Sequence, residues 1–210
     1  KKSLSNIQPK VLSEIEKKEI AASFLLENKS ILKISDPQNE FVLMESKTDD
    51  LNFTNLKFSQ FYKGIEVWGR ELMIHFDASG NLVSANGIIE ATPAKIKNVV
   101  ESVNSLDAIE IAKKSINQIS PIAPIPDGME KIYDYKGPVA KKVIWHDEKK
   151  NPFLTWVIEV RSGLSQDWFY FIDATTGNIL NSYNAVCYDG ITTATAKDLN
   201  GVQRTFGTYQ

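Results

Sequence analysis

The chain has 210 residues, 42% hydrophobic and 24% charged, with a net charge of −2. That balance is ordinary for a globular protein and excludes wholesale disorder. Near-neutral charge without a basic stripe argues against nucleic acid as a partner, and no apolar run reaches the roughly 20 residues that cross a bilayer, so a membrane is not expected either.

A single cysteine, Cys187, leaves no internal disulfide, and the fold must rest on its core. The chain starts Lys1-Lys2-Ser3 with no apolar stretch behind it and no initiator Met. It reads as a processed fragment whose export signal is already gone. Over residues 11–34, Leu12, Ile15, Ala22, Leu25 and Leu26 recur near the 3.6-residue period, which predicts a helix ended by Asp36-Pro37. A short strand is expected over 40–45, then alternating strands over 55–63, 65–77 and 82–89. The segment Asp77-Ala78-Ser79-Gly80-Asn81 is a hairpin turn. Within 65–77 the apolar face changes sides near Gly69, which predicts a bulge or bend there.

Thr92-Pro93 opens a polar stretch to Asn104. Ser105 is placed to cap a helix carrying Leu106, Ile109, Ala112, Ile116 and Ile119 on one face, stopped by Pro121, Pro124 and Pro126. A second strand set follows over 130–135, 140–146, 153–161, 167–173 and 179–183. In the third of these, Leu154, Trp156, Ile158 and Val160 face one way. Asp77-Ala78 through Asn81 resembles Asp173-Ala174 through Asn178. Both sit at a strand–turn–strand junction late in a helix-then-strands unit. The economical fold class is α+β: two tandem modules, each a helix packed on an antiparallel sheet. The competing reading is that Asp-Ala-x-Gly-Asn is a favoured turn and nothing more.

Catalytic and metal chemistry finds no support. A zinc hydrolase needs His ligands one helical turn apart with a nearby Glu, and the chain has only His75, in a predicted strand, and His146, before a polar turn. Gly64 and Gly69-Arg70 lack the Lys-Ser/Thr pair of a P-loop and lie between strands, so both glycines read as bends. No Ser/His/Asp set stands out, and Asp77 with Asn81 lacks the alternating acidic ligands of a calcium loop. Tyr62, Trp68, Trp156 and Trp168 offer a platform for a sugar or peptide, against a default of core packing. Trp68 is the one expected to be exposed, because Glu66 and Arg70 share its face.

Residues 51–92 carry Phe58, Gln60, Tyr62, Gly64, Ile65, Val67, Gly69, Leu72, His75, Asp77 and Gly80 in an order that resembles the fungalysin/thermolysin propeptide module. Residues 105–185, a helix then strands ending in Tyr170-Phe171-Ile172-Asp173-Ala174 and Gly177, are similar to a PepSY module. Downstream, residues 195–209 resemble the first strands of a mature thermolysin-like protease.

The resemblance implies a division into 1–50 (helix and first strand), 51–92 (first module), 93–104 (linker), 105–185 (PepSY module) and 186–210 (junction and start of the mature region). It implies a non-catalytic pro-region of a secreted zinc metalloprotease, acting as intramolecular chaperone and inhibitor until cleaved. The partner would be the cognate catalytic domain, with zinc and calcium held there and no cofactor in this fragment.

The interface candidates are Gln60, Tyr62, Gly64, Trp68, Gly69 and Arg70. The processing region spans Asn184, Ala185, Val186, Cys187, Tyr188, Asp189, Gly190, Ile191 and Thr192. A Cys187 thiolate near the scissile bond has the chemistry to occupy the catalytic zinc, against the plainer reading of a buried free cysteine. Without the catalytic domain, residues 184–210 are expected to be disordered or to pair with a neighbouring molecule. The alternative to a propeptide is a stand-alone secreted PepSY-type peptide-binding or protease-regulating module. The tail resembling a mature enzyme speaks against it.

Overall fold

The computed structural model describes residues 12–93, 95–96, 98–119, 121, 135–163, 166–186, 191–197 and 200–209. The first helix, α1 (Glu14–Glu27), opens on a capping box: Ser13 Oγ accepts from the Glu16 N–H, and the Glu16 carboxylate accepts from the Ser13 N–H at 2.8 Å. The single helix expected over 11–34 instead breaks at Asn28, whose side-chain amide donates to the Phe24 carbonyl. A further turn, α2 (Lys29–Leu32), ends on Lys33 in the left-handed conformation. The buried face of α1 is Lys17, Ala21 and Leu25, while Ile15 and Leu26 are exposed, so the predicted stripe is rotated. Lys17 sits there because its ammonium donates to Thr54 Oγ1 at 2.6 Å while its stem covers apolar surface.

A short helix, α3 (Pro37–Glu40), leads into four strands: β1 (Phe41–Thr48), β2 (Thr54–Tyr62), β3 (Ile65–Phe76) and β4 (Leu82–Ile88). The second unit repeats the plan with α4 (Ser105–Ile119), β5 (Val139–His146), β6 (Pro152–Gly163), β7 (Gln166–Asp173) and β8 (Ile179–Asn184). The cap of α4 is Asn104, not Ser105: its Oδ1 accepts from the Asp107 N–H at 2.9 Å. Its inward face is Ala108, Ala112 and Ile116, with Leu106 and Ile119 exposed, because the sheet meets the helix one position round from the predicted stripe. The strand expected over 130–135 lies outside the described residues except for Tyr135, which is buried but not in a strand.

The eight strands form one sheet in the order β1-β2-β3-β5-β6-β7-β8, with β4 also on β3. Every pairing is antiparallel except β3–β5, which is parallel and joined at Val67 and Ile144. Strand β3 belongs to both units. Up to Val67 its odd residues, Ile65 and Val67, enter the core beneath α4. After Gly69 its even residues, Leu72, Ile74 and Phe76, enter the core beneath α1. The switch is a bulge: between Ser59 and Phe61 the β2 partner jumps from Glu71 to Glu66, with Gly69 at φ +64° inside the displaced stretch. Two steps along β2 span five along β3, so β3 carries three extra residues; an odd insertion turns every later side chain to the other face, and a single strand serves two cores.

The sequence repeat is turn chemistry used at equivalent places. Asp77 Oδ1 accepts from the Ser79 and Asn81 N–H groups, and Asp173 Oδ1 from those of Thr175 and Thr176. Asp49 and Asp147 do the same in the β1–β2 and β5–β6 hairpins, where Asn52 and Lys150 take the positive-φ position. The remaining strands, β9 (Ile191–Lys197) and β10 (Gln203–Tyr209), pair with each other as a separate two-stranded sheet. This segment was expected to be disordered or paired with a neighbouring molecule. Within one chain, antiparallel pairing in a continuous register instead satisfies the backbone groups that the two strands turn toward each other.

Candidate functional site

The residues of the Gln60–Arg70 motif act on the backbone. Gln60 is fully buried and clasps Glu90: its Nε2 donates to the Glu90 carbonyl at 2.7 Å, and its Oε1 accepts from the Glu90 N–H at 2.9 Å. Arg70 pairs with the Glu90 carboxylate at 3.0 Å, both side chains mostly buried. Tyr62 donates its hydroxyl to the Ile96 carbonyl at 3.1 Å. Three motif side chains therefore pin the segment leaving β4, which leads from the first core to the second. Gly64 follows Lys63 in the β2–β3 hairpin; both have positive φ, as a two-residue type I′ turn requires. Gly69 makes the bend in β3.

His146 meets this junction from the second unit. Its Nδ1 and the Arg70 Nε are buried with no hydrogen-bond partner among the described residues. Burial depresses the His146 pKa below its ordinary value; the Glu90 charge opposes that shift and the Arg70 charge adds to it. His75 lies between Asn55 at 2.6 Å and Asn86 at 2.5 Å. Among the described residues no group of three or more His, Cys, Asp or Glu is placed to hold a metal.

On the face of the β5–β8 sheet opposite α4, a second apolar layer is built from side chains of alternate parity. Val143, Val157 and Phe171 are buried there, with Trp68, Trp145, Phe169 and Leu180 packed around them. The rings are contiguous: Trp68 stands edge-on to Phe171 at 5.6 Å, Trp145 lies 5.5 Å from Phe171, and Phe169 stacks on Tyr183 at 5.6 Å. Trp68, expected to be exposed, is half-buried because Phe169 and Phe171 of β7 lie beneath it. Its charged neighbour Glu66 pairs with Lys141, whose ammonium lies 5.9 Å from the Trp68 ring. Of the other proposed platform residues, Trp156 is buried against α4, with its Nε1 donating to the Val103 carbonyl at 2.7 Å. Trp168 packs on that same core. The sequence reading missed Trp145, Phe169 and Phe171; the period-2 alternation that placed Trp156 and Ile158 inward also places Val157 outward.

The chain leaves this face under restraint. Asn184 Oδ1 accepts from the Asp167 N–H at 3.0 Å and the Val186 N–H at 3.1 Å, while the Ala185 N–H donates to the Asp167 carbonyl at 2.6 Å. Asp167 itself is held above its ordinary pKa, first by burial and then by Glu159, with Arg161 opposing. Cys187, Tyr188, Asp189 and Gly190 lie outside the described residues, and with them the thiol reading of Cys187. Ile191 and Thr192 begin β9.

Residues 39–88 match the Fungalysin/Thermolysin Propeptide Motif, and residues 103–183 match the peptidase propeptide and YPEB domain. The chain carries a Fungalysin/Thermolysin Propeptide Motif followed by a peptidase propeptide and YPEB domain. Among curated relatives, the chain is 27% identical to the bacillolysin of Bacillus subtilis (strain 168) over 163 residues, 78% of this chain and 30% of the relative. It is 28% identical to the thermolysin of Bacillus caldolyticus over 171 residues, 79% of this chain and 30% of the relative. The match to the bacillolysin of Bacillus amyloliquefaciens, 27% identical, runs over 207 residues, 96% of this chain and 38% of the relative. The chain thus spans about a third of the length of these relatives. Among solved structures it is similar to the Bacillus megaterium YpeB C-terminal domain at 14% identity and a TM-score of 0.31, covering 85% of this chain and 67% of that one. No described helix is long and apolar enough to cross a membrane.

Proposed function

We propose that this propeptide belongs to a secreted zinc metalloprotease, which it helps to fold and holds inactive until it is cleaved away. The observation that carries the reading is the ordered pair of propeptide modules, matched together to bacillolysin and thermolysin. The chemistry of the chain is consistent with an interface role. Gln60 and Arg70 are spent on holding Glu90, and the ring cluster on the β5–β8 face offers apolar contact rather than a reacting group.

The physical logic is linkage. A surface that binds the native catalytic domain and not its unfolded chain stabilises the native state in proportion to occupancy. If it also fits the folding transition state, it lowers the barrier that non-local β pairing imposes. Retained affinity afterwards is inhibition, and cleavage within Asn184–Thr192 would relieve it. Zinc and calcium belong to the catalytic domain on this reading, and residues 1–50, 51–92, 93–104, 105–185 and 186–210 are the working division of the chain. The test is refolding in trans: urea-denatured catalytic domain is diluted with and without the propeptide, and recovered peptidase activity is followed. Faster and fuller recovery with stoichiometric propeptide is expected, and equal recovery would refute the folding role.

A further inference from the structure

We propose that the aromatic face of the β5–β8 sheet is the surface on which the catalytic domain seats, held there by the short connection from β8 to β9. The proposal rests on the propeptide reading above and names the face that reading leaves open. Three observations carry it.

The first is the face itself. Trp68, Trp145, Phe169, Phe171 and Tyr183 form one run of touching rings across β3, β5, β7 and β8, and α4 packs on the other side of the sheet. None of the described helices contributes to this cluster. Tyr183 keeps 41% of its surface exposed, at the edge strand of the sheet. A contiguous apolar centre with a charged border is the composition of a protein interface.

The second is the exit. The hydrogen bonds of Asn184 and Asp167 fix the chain to the sheet as far as Val186. Only five peptide steps separate Val186 from Ile191, the first residue of β9, a reach of roughly 17 Å at most for an extended chain. Whatever β9 belongs to is therefore tethered beside the rings, at an effective concentration on the order of millimolar.

The third is the hairpin. β9 and β10 form a two-stranded sheet of their own, separate from the eight-stranded one. Such a unit is marginal alone and needs a further body to pack on. One body that completes the β9–β10 sheet and covers the ring face satisfies both surfaces within the reach of the tether.

The test is hydroxyl-radical footprinting of the wild-type propeptide, free and with the zinc-loaded catalytic domain of the same precursor, read residue by residue by mass spectrometry and paired with an inhibition assay. Oxidation at Trp145 and Tyr183 should fall severalfold in the complex, while Leu106 and Ile119, exposed on α4, stay unchanged. Tyr183→Lys should weaken inhibition about tenfold or more, as loss of an interface anchor does, with Leu106→Lys unaffected. Footprinting of the wild type needs no variant to fold. Inhibition without protection of the rings would overturn the docking face and leave the propeptide reading standing. Protection of the rings in the free propeptide that grows with its concentration would assign the face to a second copy and overturn the proposal. No complex at all would overturn both readings.

Discussion

Replacing Gln60 separates a structural clasp from mere packing. Its amide gives the Glu90 backbone two hydrogen bonds, at 2.7 and 2.9 Å, from a fully buried position. Gln60→Met keeps the volume and removes both bonds. A buried polar group left unpaired costs about 1–3 kcal/mol. Taking the low end for each of the two Glu90 backbone groups gives about 2 kcal/mol. For a chain of this size that lowers Tm by about 4–8 °C and the urea midpoint by about 1 M. Gln60→Ala adds a cavity and should lose about 1–2 kcal/mol more. Arg70 grips the same residue, so Gln60→Met and Arg70→Met should couple by about 0.5 kcal/mol or more in a double-mutant cycle. The assay is equilibrium urea unfolding followed by tryptophan fluorescence. A Gln60→Met midpoint equal to that of wild type would show that the segment after β4 is held by packing alone.

Gly87 faces β3 at φ +154°, where an added Cβ would lie 2.2 Å from the Glu71 carbonyl oxygen; Gly87→Ala should therefore destabilise by about 3 kcal/mol in the same assay. Gly69 has open space around it but φ +64°, so Gly69→Asn should be mild and Gly69→Val should cost about 1–2 kcal/mol, a difference that isolates backbone strain. Asp147 is held below its ordinary value of 3.8 first by the Asn151 side chain and then by its N–H. Its contribution is present above that value and lost as pH falls through the lower folded one, so Asp147→Ala should lower Tm at neutral pH and converge with wild type in acid. His146 is held below its ordinary 6.5 by burial, so the folded state binds fewer protons than the unfolded chain. Stability should be full above 6.5 and decline as pH falls below it, a limb that thermal melts of His146→Gln should lack.

The elements were readable in the sequence because their signals are local. The Ser13–Glu16 box starts α1 and Asp77 builds its turn, whatever the rest of the chain does. Even the bend at Gly69 shows as a change of parity in the apolar residues of β3. What β3 does after the change was not readable, since sharing it between two cores depends on the single β3–β5 bridge at Val67 and Ile144, some 77 positions apart in sequence. The helix faces were misjudged for a related reason. Lys17 reads as solvent-facing until Thr54 is brought beneath it, and Leu106 reads as core until the sheet chooses Ala108. Trp68 was assigned outward on the charges beside it, but Glu66 and Arg70 find Lys141 and Glu90, and the ring rests on Phe169 and Phe171. In the site, residue identities were visible and their jobs were not. Gln60 and Arg70 stand out as a pattern, while Glu90, thirty positions from Gln60, is the residue they hold.

On the proposed function, this chain supplies a complementary surface for a metalloprotease and performs no chemistry itself. The most direct measurement is a peptidase assay in which the zinc-loaded catalytic domain is titrated with the purified propeptide. Stoichiometric loss of activity is expected at micromolar concentrations or below, with no turnover by the chain alone. Undiminished protease activity across that range, or peptide-bond cleavage by the 210-residue chain itself, would contradict it.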